Sequence, residues 1–549
     1  MNKCECVSEE ICIDDSGHVK LSEERGGEAL FYFLGWVYLL CDFVLFLFGW
    51  VEPYLACFLA AWLGYSAWDL FRRLHPFNVS FSVKRVCGFG MILLLSFGLA
   101  EWSGITALFD QHILDFQQRN AVYGNLCSKD WPLILPDGRF VSYYMAQFLP
   151  PAYLSKIFGL DYAPTFLMLW TAGGLFLGLS LLWYHCRRIG SYIVALLIVL
   201  FVGDPVAFLK PLSELMETLI GVQLHMNSSY FSLFSQVTTT INHTPPVFLA
   251  AVMMLSKCAD LRTDPLLNVL LLPISIFGAM GMLPFSLYRI LGSGKSGVSL
   301  RQSLLILRKL AGTHETYLAL LLTFVCALYY MSSESTIAVT FAFFVTFGKP
   351  VFYIFVKTFL HIGLYLLMIG VPFFLIRRKC RGLILTTLIA VVLVSFFYIC
   401  GGGPNELCFK GALPSSVAIA CLWQKAFQDS RFGGIYVSAV IAAFVVLNFI
   451  NFRDRAADFG YKREHIRDAF NGHLYHPGTL LDQSVGPRRE PVLRNVLYDI
   501  AGASRRCVLF RFLPPDDSKL YERPFIHSPK NESMLKKPDN AGLHIIWHF

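Results

Sequence analysis

Charged residues are scarce in this chain, and their scarcity argues against an ordinary soluble domain. Asp, Glu, Lys and Arg make up 15% of the 549 residues, whereas 55% are hydrophobic and 49 are Phe. A soluble domain has about 25% charged residues. Apolar runs recur between residues 29 and 450, and runs of roughly 18 residues or more are typical of transmembrane helices. The composition therefore predicts an all-α, polytopic integral membrane protein.

Other missing sequence features exclude further classes of protein. The chain lacks the short alternating segments of a transmembrane β-barrel. Its net charge is +8, but no contiguous basic face indicates a nucleic-acid partner. The N-terminus carries acidic residues instead of the basic region of a signal peptide. A phosphate-loop pattern fails because Arg289 stands where the first glycine is needed. The partner predicted at this stage is the lipid bilayer.

Polarity divides the chain into three regions. Residues 1–27 form a polar N-terminal tail, residues 28–450 a transmembrane domain, and residues 451–549 a small soluble C-terminal region. Hydropathy predicts about 12–13 transmembrane helices. In the second half the predicted spans are 246–256, 266–288, 315–331, 336–347, 350–376, 382–399, 412–427 and 434–450.

Basic residues orient the predicted spans. Arg72 and Arg73 follow the second span, and Arg187 and Arg188 follow the fourth. Lys and Arg are retained on the cytoplasmic side of a membrane. Both loops are therefore predicted to lie inside, which leaves the large loop 107–162 extracytoplasmic.

This loop carries the first set of candidate functional residues. They are Asp110, His112, Asp115, Arg119 and Asn120. A carboxylate at the water–membrane boundary can act as a general base or orient a metal that a diphosphate holds. Arg119 has the fork geometry that binds phosphate oxygens in pairs. The alternative is that these charges only solvate an outer loop, where they need no special explanation.

A second candidate set lies between two apolar runs near residue 405. Asn405, Glu406 and Lys410 follow three glycines at 401–403. Glycines allow an unusual backbone, such as a loop that dips toward the membrane and is lined by protein. A lysine held there suits a lipid-linked phosphate. The alternative is a plain turn whose lysine extends to the membrane surface.

The third candidate is His243, which follows Asn242 and precedes Pro245 and Pro246. Asparagine is a good helix N-cap, and proline suits the first helical turn. That structural role is one interpretation. The other is that His243, a readily titrating side chain beside an outer cleft, binds a sugar hydroxyl or a phosphate.

Laid side by side, three stretches resemble a group of bacterial membrane proteins whose architecture is similar to the GT-C glycosyltransferases. The stretches run from Asp115 to Asn120 and on through Trp131-Pro132 and Tyr143-Tyr144 to Lys156, then Asn242-His243, then Asn405 to Pro414. The chain departs from the group at three positions. Glu406 replaces Asp, Lys410 replaces Arg, and the glutamine that usually precedes the histidine is missing.

The resemblance implies a function. GT-C enzymes move a sugar from a polyprenyl-phosphate carrier to an extracytoplasmic acceptor, and they place a catalytic Asp or Glu in the first large outer loop. Carried over, Asp110 or Asp115 is the base, and Arg119, His243 and Lys410 hold the carrier phosphate. The remaining substrate-binding candidates are His112, Asn120, Asn405 and Glu406. The implied acceptor is a glycan, lipid or protein at the bacterial inner membrane; no metal ligand is assigned, and a divalent metal stays open as a cofactor.

Two other functions fit the same composition. A transporter or flippase usually has charged residues near the bilayer midplane and broken helices in paired positions. Here the candidate ionisable residues are predicted to gather at the outer boundary, which favours the enzyme. A structural or assembly partner, whose loop and tail only bind proteins, is the third interpretation.

Overall fold

The structure is a computed structural model in which helices account for most of the described residues. It describes residues 12–13, 19–20, 23–74, 77, 82–103, 122–133, 140–186, 188–203, 232–290, 300–331, 337–341, 351–400, 406–460, 502–504 and 546–547. Within these ranges the predominance of helix confirms the predicted α-helical class.

Seventeen α-helices lie in these ranges, numbered here in chain order. The first seven are α1 (Glu23–Trp50), α2 (Pro53–Leu74), α3 (Val83–Trp102), α4 (122–128), α5 (Leu149–Phe158), α6 (Ala163–Cys186) and α7 (Ile189–Phe201). The next six are α8 (Leu233–Thr239), α9 (Thr244–Leu255), α10 (Asp264–Leu271), α11 (Ile276–Ile290), α12 (Leu300–Ala311) and α13 (His314–Met331). The last four are α14 (Val351–Phe396), α15 (Glu406–Gly411), α16 (Leu413–Asp429) and α17 (Arg431–Gly460).

Four helical stretches of the described chain are long and apolar enough to cross a membrane. They are Gly26–Trp50, Val83–Trp102, Leu160–Cys186 and His314–Met331. Shorter apolar helices cover Ile189–Phe201, Thr244–Leu255, Ile276–Ile290, Cys380–Ser395 and Arg431–Val446. These lengths and compositions are those of a membrane protein built from α-helices.

Helix α6 packs against α1, α3 and α9 in the core of the bundle. Its glycines allow the close approach. A Cβ at Gly174 would collide with the Tyr38 hydroxyl and the Pro245 ring, and one at Gly178 would collide with Phe248. Small residues at helix–helix contacts are typical of membrane bundles, because they let the backbones approach closely.

The ends of the helices meet at two opposite ends of the bundle, which we call the basic end and the loop end. At the basic end, the start of α1 meets the end of α9, because Glu28 accepts hydrogen bonds from the Ser256 hydroxyl and the Lys257 amide. There Arg73, at the end of α2, also reaches Glu315 at the start of α13. At the loop end, Trp50 of α1 stacks on Trp131, with ring centroids 5.9 Å apart.

Short strands join distant parts of the chain. They are β1 (Cys12–Ile13), β2 (Val19–Lys20), β3 (Phe140–Ser142), β4 (Ile337–Phe341), β5 (Phe397–Cys400), β6 (Gly502–Ser504) and β7 (Ile546–Trp547). All pairs are antiparallel: β1 with β2, β3 with β6, and β4 with both β5 and β7. Two strands of the C-terminal region therefore pair with strands that flank the helix bundle.

The predicted single span over 266–288 is instead a helical hairpin. Helix α10 ends at Leu271, a turn follows, and α11 begins at Ile276. The two outer ends meet at the basic end, where Arg289 Nε donates to Asp264 Oδ2 at 2.6 Å. Pro273 lies in the turn and has no N–H for an α-helical hydrogen bond, so the helix cannot simply continue through it. Hydropathy does not register this reversal because both arms are apolar.

Two further parts of the chain can be compared with the predicted spans. The predicted span over 336–347 is wrong for Ile337–Phe341, which form β4; this short β-branched segment suits a strand. The spans predicted over 350–376 and 382–399 correspond to the two helical parts of α14, which meet at a kink where the backbone of Cys380 is non-helical.

Candidate functional site

Tyr144 brings together two of the predicted substrate-binding residues from distant parts of the sequence. Its hydroxyl accepts a hydrogen bond from Lys410 Nζ at 2.9 Å. Its ring lies against the His243 imidazole, with centroids 4.4 Å apart. One residue from each of the three stretches that carry the resemblance therefore meets at this point. We call Tyr144, His243 and Lys410, with the side chains that contact them, the Tyr144 site.

Lys410 is a buried cation at the end of the short helix α15. The residue is only 8% exposed. Besides the phenol, its ammonium lies 4.8 Å from the centroid of the Tyr144 ring and 5.5 Å from that of Phe277. Aromatic faces attract a cation, and they do so more strongly when the contact is removed from water. This position differs from that of a lysine that extends to the membrane surface.

His243 has both ring nitrogens engaged in hydrogen bonds. Nδ1 lies 2.8 Å from the carbonyl oxygen of Ile274, and Nε2 lies 3.1 Å from Nδ2 of Asn242. Because a carbonyl oxygen only accepts, Nδ1 carries the proton, and Nε2 of the neutral ring accepts from Asn242. These two contacts fix the orientation of the His243 ring, and its phosphate-binding role stays a prediction.

The tip of the α10–α11 hairpin forms one wall of the site. Three backbone carbonyl oxygens of this tip accept hydrogen bonds. Ile274 accepts from His243, Pro273 from the Ala146 amide at 3.2 Å, and Leu272 from the Tyr330 hydroxyl at 2.6 Å. Irregular backbone inside a membrane protein needs such internal partners, because no water is there to supply them.

Polar side chains of α8 form hydrogen bonds on the other side of the Tyr144 site. Gln236 Nε2 donates to the carbonyl oxygen of Phe409, the residue before Lys410. The Oε1 atom of Gln236 accepts from the Thr240 hydroxyl at 2.7 Å. The amide of Gln236 therefore fixes the backbone of α15 relative to α8, and with it the position of Lys410.

Three longer helices begin at the Tyr144 site. Helix α9 starts directly after His243, and α16 starts two residues beyond Gly411, whose backbone packs against Phe277 at the start of α11. The N-terminus of a helix carries a partial positive charge of about half an elementary charge. Lys410 and these three helix starts each contribute positive charge to the described part of the site.

The site lies near the middle of the bundle along the direction of α1. Pro245, two residues after His243, and Tyr38, near the middle of α1, both lie against Gly174. Helix α9 has 12 residues and so spans only about 18 Å from the basic end. The sequence predicts the candidate residues at the outer boundary; His243 and Lys410 are instead deep in the protein.

Most of the other predicted site residues fall in the parts of the chain that the structure does not describe. Asp110, His112, Asp115, Arg119, Asn120 and Asn405 lie outside the described residues. Glu406 is the first residue of α15, but its side chain also lies outside the described part. Their predicted roles therefore stay predictions.

Other residues of the first stretch have a structural role. The Trp131 indole donates to the Leu126 carbonyl oxygen at 2.9 Å and stacks on Trp50. Lys156 Nζ lies 4.4 Å from the Trp131 ring centroid and donates to the Lys129 carbonyl oxygen at 2.6 Å. Desolvation lowers the pKa of Lys156. These contacts hold the loop segments at the loop end.

Sequence reasoning missed a buried carboxylate in the first apolar run. Asp42 is fully buried in α1, where its Oδ1 accepts from the Trp170 indole at 3.0 Å. Its Oδ2 has no hydrogen-bond partner within the described ranges. An aspartate in an apolar run is a visible signal, because a charge in the hydrocarbon region is costly and marks function by default.

Comparison with known families, characterised proteins and solved structures finds nothing that matches this chain.

Proposed function

We propose that the chain is a membrane glycosyltransferase of the GT-C type, and that the Tyr144 site holds the phosphate of its polyprenyl-phosphate sugar donor. The observation that carries this proposal is the contact of His243 and Lys410 with the same tyrosine. The proposed protein crosses the inner membrane of a bacterium several times. The acceptor is an extracytoplasmic glycan, lipid or protein of the cell envelope.

The chemistry of the site supports an anionic ligand. A buried ammonium gains most from an anion that it can both pair with and hydrogen-bond. The Tyr144 hydroxyl accepts from Lys410 and can itself donate to a phosphate oxygen, because a phenol does both. The starts of α9, α11 and α16 add fixed positive partial charge. A phosphoryl group on a lipid carrier fits this combination.

The transfer step assigns separate roles to the two sets of residues. Asp110 or Asp115 takes the proton from an acceptor hydroxyl. The acceptor oxygen then bonds to the anomeric carbon of the sugar, and the bond from that carbon to the carrier phosphate oxygen breaks. Negative charge grows on the leaving phosphate, where Lys410 stabilises it. His243 holds the Tyr144 ring and the hairpin tip in place.

Two observations favour a second candidate function, a transporter or flippase for a lipid-linked or small polar substrate. Asp42 is buried within α1, and α10–α11 is a hairpin whose tip lies deep in the bundle. Ionisable groups inside the bundle and interrupted helices at mid-depth are typical of transporters. The same Tyr144 site would then bind the anionic group during passage.

A turnover assay separates the two functions. The protein in lipid nanodiscs is given radiolabelled polyprenyl-phosphate sugars with cell-envelope acceptors, and transferred sugar is counted. The enzyme proposal predicts transfer by the wild type, loss of transfer in Asp110→Asn or Asp115→Asn with carrier binding retained, and loss of carrier binding in Lys410→Ala.

Lys156→Ala is the matched control, because this lysine also rests on an aromatic ring but lies outside the Tyr144 site. It is expected to retain transfer. Movement of the lipid-linked substrate across vesicle membranes without any sugar transfer would contradict the enzyme function and support the transporter function.

A further inference from the structure

A cluster of metal-ligating side chains lies at the basic end, away from the Tyr144 site. Asp69 comes from the end of α2, and His314 and Glu315 start α13. One donor atom from each of the three residues can be chosen so that all lie within 4.8 Å of one another. The nearest pair, His314 Nδ1 and Glu315 Oε2, is 3.3 Å apart. Two atoms bound to one tetrahedral zinc ion, with bonds of about 2.0–2.1 Å, lie at a similar separation.

Arg73 contacts only one oxygen atom of the Asp69 carboxylate and one of the Glu315 carboxylate. Its guanidinium reaches Asp69 Oδ2 and Glu315 Oε1, each at 3.1 Å, and also pairs with Asp260. The second oxygen of Glu315 faces His314 instead. Arg73 therefore occupies one oxygen of each of the two candidate carboxylate ligands, in the way that outer partners orient the ligands of metal sites.

The charges in the cluster do not balance. Three carboxylates, from Asp69, Asp260 and Glu315, surround one guanidinium. Glu315 is only 1% exposed, so water screens its charge poorly. The three carboxylates and the guanidinium sum to two negative charges. A divalent cation would bring the sum to zero.

We propose that Asp69, His314 and Glu315 bind a divalent transition-metal cation, of the zinc or manganese class, that ties α2 to α13. The imidazole selects such ions over magnesium and calcium, which prefer oxygen ligands alone. The cation would cross-link two helices that the chain brings together at the basic end. Its position, at the opposite end of α13 from Tyr329 and Tyr330, separates it from the Tyr144 site.

Metal titration of the full-length protein tests this site. After treatment with a chelator, the detergent-solubilised wild type is expected to bind one Zn²⁺ per chain and to bind Mg²⁺ much more weakly. His314→Ala and Asp69→Asn are each expected to weaken Zn²⁺ binding by at least about tenfold, the loss that follows even from removal of an outer partner.

Asp260→Asn is the matched control. It removes one negative charge from the same cluster and from the same arginine, but Asp260 is not among the three ligands. Equal weakening by Asp69→Asn and Asp260→Asn would reduce the site to a general acidic patch and overturn the proposal. So would the absence of stoichiometric Zn²⁺ binding to the wild type.

A measurement on the wild type alone covers the case in which a variant fails to fold. Pulsed electron paramagnetic resonance of bound Mn²⁺ is expected to show coupling to an imidazole nitrogen. Bound Mn²⁺ without nitrogen coupling would exclude His314 as a ligand and overturn the proposal. Because the cluster shares no residue with the Tyr144 site, either result leaves the proposed glycosyltransferase function to its own test.

Discussion

The Tyr144 hydroxyl is expected to contribute to the binding of polyprenyl phosphate separately from the charge of Lys410, although the two side chains touch. Its hydroxyl accepts from the ammonium, and its ring packs on His243. Tyr144→Phe keeps the ring and removes only the hydroxyl. A hydrogen bond to a charged group contributes about 1.5–3 kcal/mol, so we expect affinity for polyprenyl phosphate to fall by roughly 10- to 150-fold.

This change is measured by equilibrium binding of the lipid in nanodiscs, beside thermal stability. Tyr153→Phe is the control, because it removes the hydroxyl of an exposed tyrosine at the loop end. Unchanged affinity in Tyr144→Phe would show that the phenol does not contact the ligand or position the lysine.

Asp264 gives a prediction about pH at the base of the hairpin. Burial raises the pKa of this carboxyl to about 6, against the opposing effect of Arg289. A carboxyl whose folded-state pKa is raised stabilises the fold below its unfolded pKa, and this stabilisation is lost as the pH rises through the folded pKa. The wild type should therefore lose stability relative to Asp264→Asn between about pH 4 and pH 6.

The measurement is the difference between the thermal midpoints of wild type and Asp264→Asn across this pH range. We expect the difference to move in favour of the variant as the pH rises. A difference that is constant with pH, or that moves in favour of the wild type, would show that Arg289 keeps Asp264 ionised throughout.

Among the elements, α11 and α15 make the closest helix contact of the site. A Cβ at Gly281 would overlap the carbonyl oxygen of Gly411, which is backbone and cannot rotate away. Gly281→Ala must therefore push α15, and Lys410 with it, out of position. Overpacking of this kind costs about 1–3 kcal/mol, so we expect a lower thermal midpoint and weaker lipid binding.

Gly64→Ala is the control for this substitution. Gly64 is also helical, but nothing lies within 4 Å of an added Cβ there. Alanine favours a helix by up to about 1 kcal/mol over glycine, so this variant should be as stable as the wild type or more stable. Equal effects of the two substitutions would remove the role given to the α11–α15 contact.

The elements also show what a sequence can predict and what it cannot. Long apolar runs predict α1, α3, α6 and α13, because a helix is the only single segment that satisfies its own backbone hydrogen bonds in lipid. The α10–α11 hairpin is not predicted, since Pro273 stands in a run that is apolar on both sides. Residues 337–341 are assigned to a span because short apolar runs do not distinguish helix from strand.

Only some residues of the Tyr144 site can be predicted from the sequence. Lys410 and His243 are candidates because polar residues between apolar runs are easy to notice. Tyr144 belongs to a tyrosine pair of the first stretch, but its role depends on a contact with a residue 266 positions away. Asp42 goes unnoticed although a carboxylate within an apolar run carries its own signal. Contacts of such long range follow from packing, which local patterns do not encode.

At the scale of the whole molecule, the two ends of the bundle should face opposite sides of the membrane. Lys156 belongs to the loop end, and Lys257 to the basic end. The positive-inside rule predicts that the basic end faces the cytoplasm. In a background without other cysteines, Lys156→Cys is therefore expected to react with an impermeant maleimide in intact cells, and Lys257→Cys only after permeabilisation.

Reaction of both cysteines from the same side would contradict a bundle that crosses the membrane with these ends opposed. Reaction in the reverse order would keep the crossing but invert the orientation. Labelling of each denatured variant to the same level is the control for unequal expression.

The most direct test of the proposed function is whether the Tyr144 site recognises the anion of a lipid carrier. Binding of polyprenyl phosphate and of the uncharged polyprenol is compared in wild type, Lys410→Ala and Lys156→Ala, all in nanodiscs. We expect the wild type and Lys156→Ala to prefer the phosphate, and Lys410→Ala to lose that preference while it still folds. A phosphate preference that survives in Lys410→Ala would contradict the assignment of this site to the carrier.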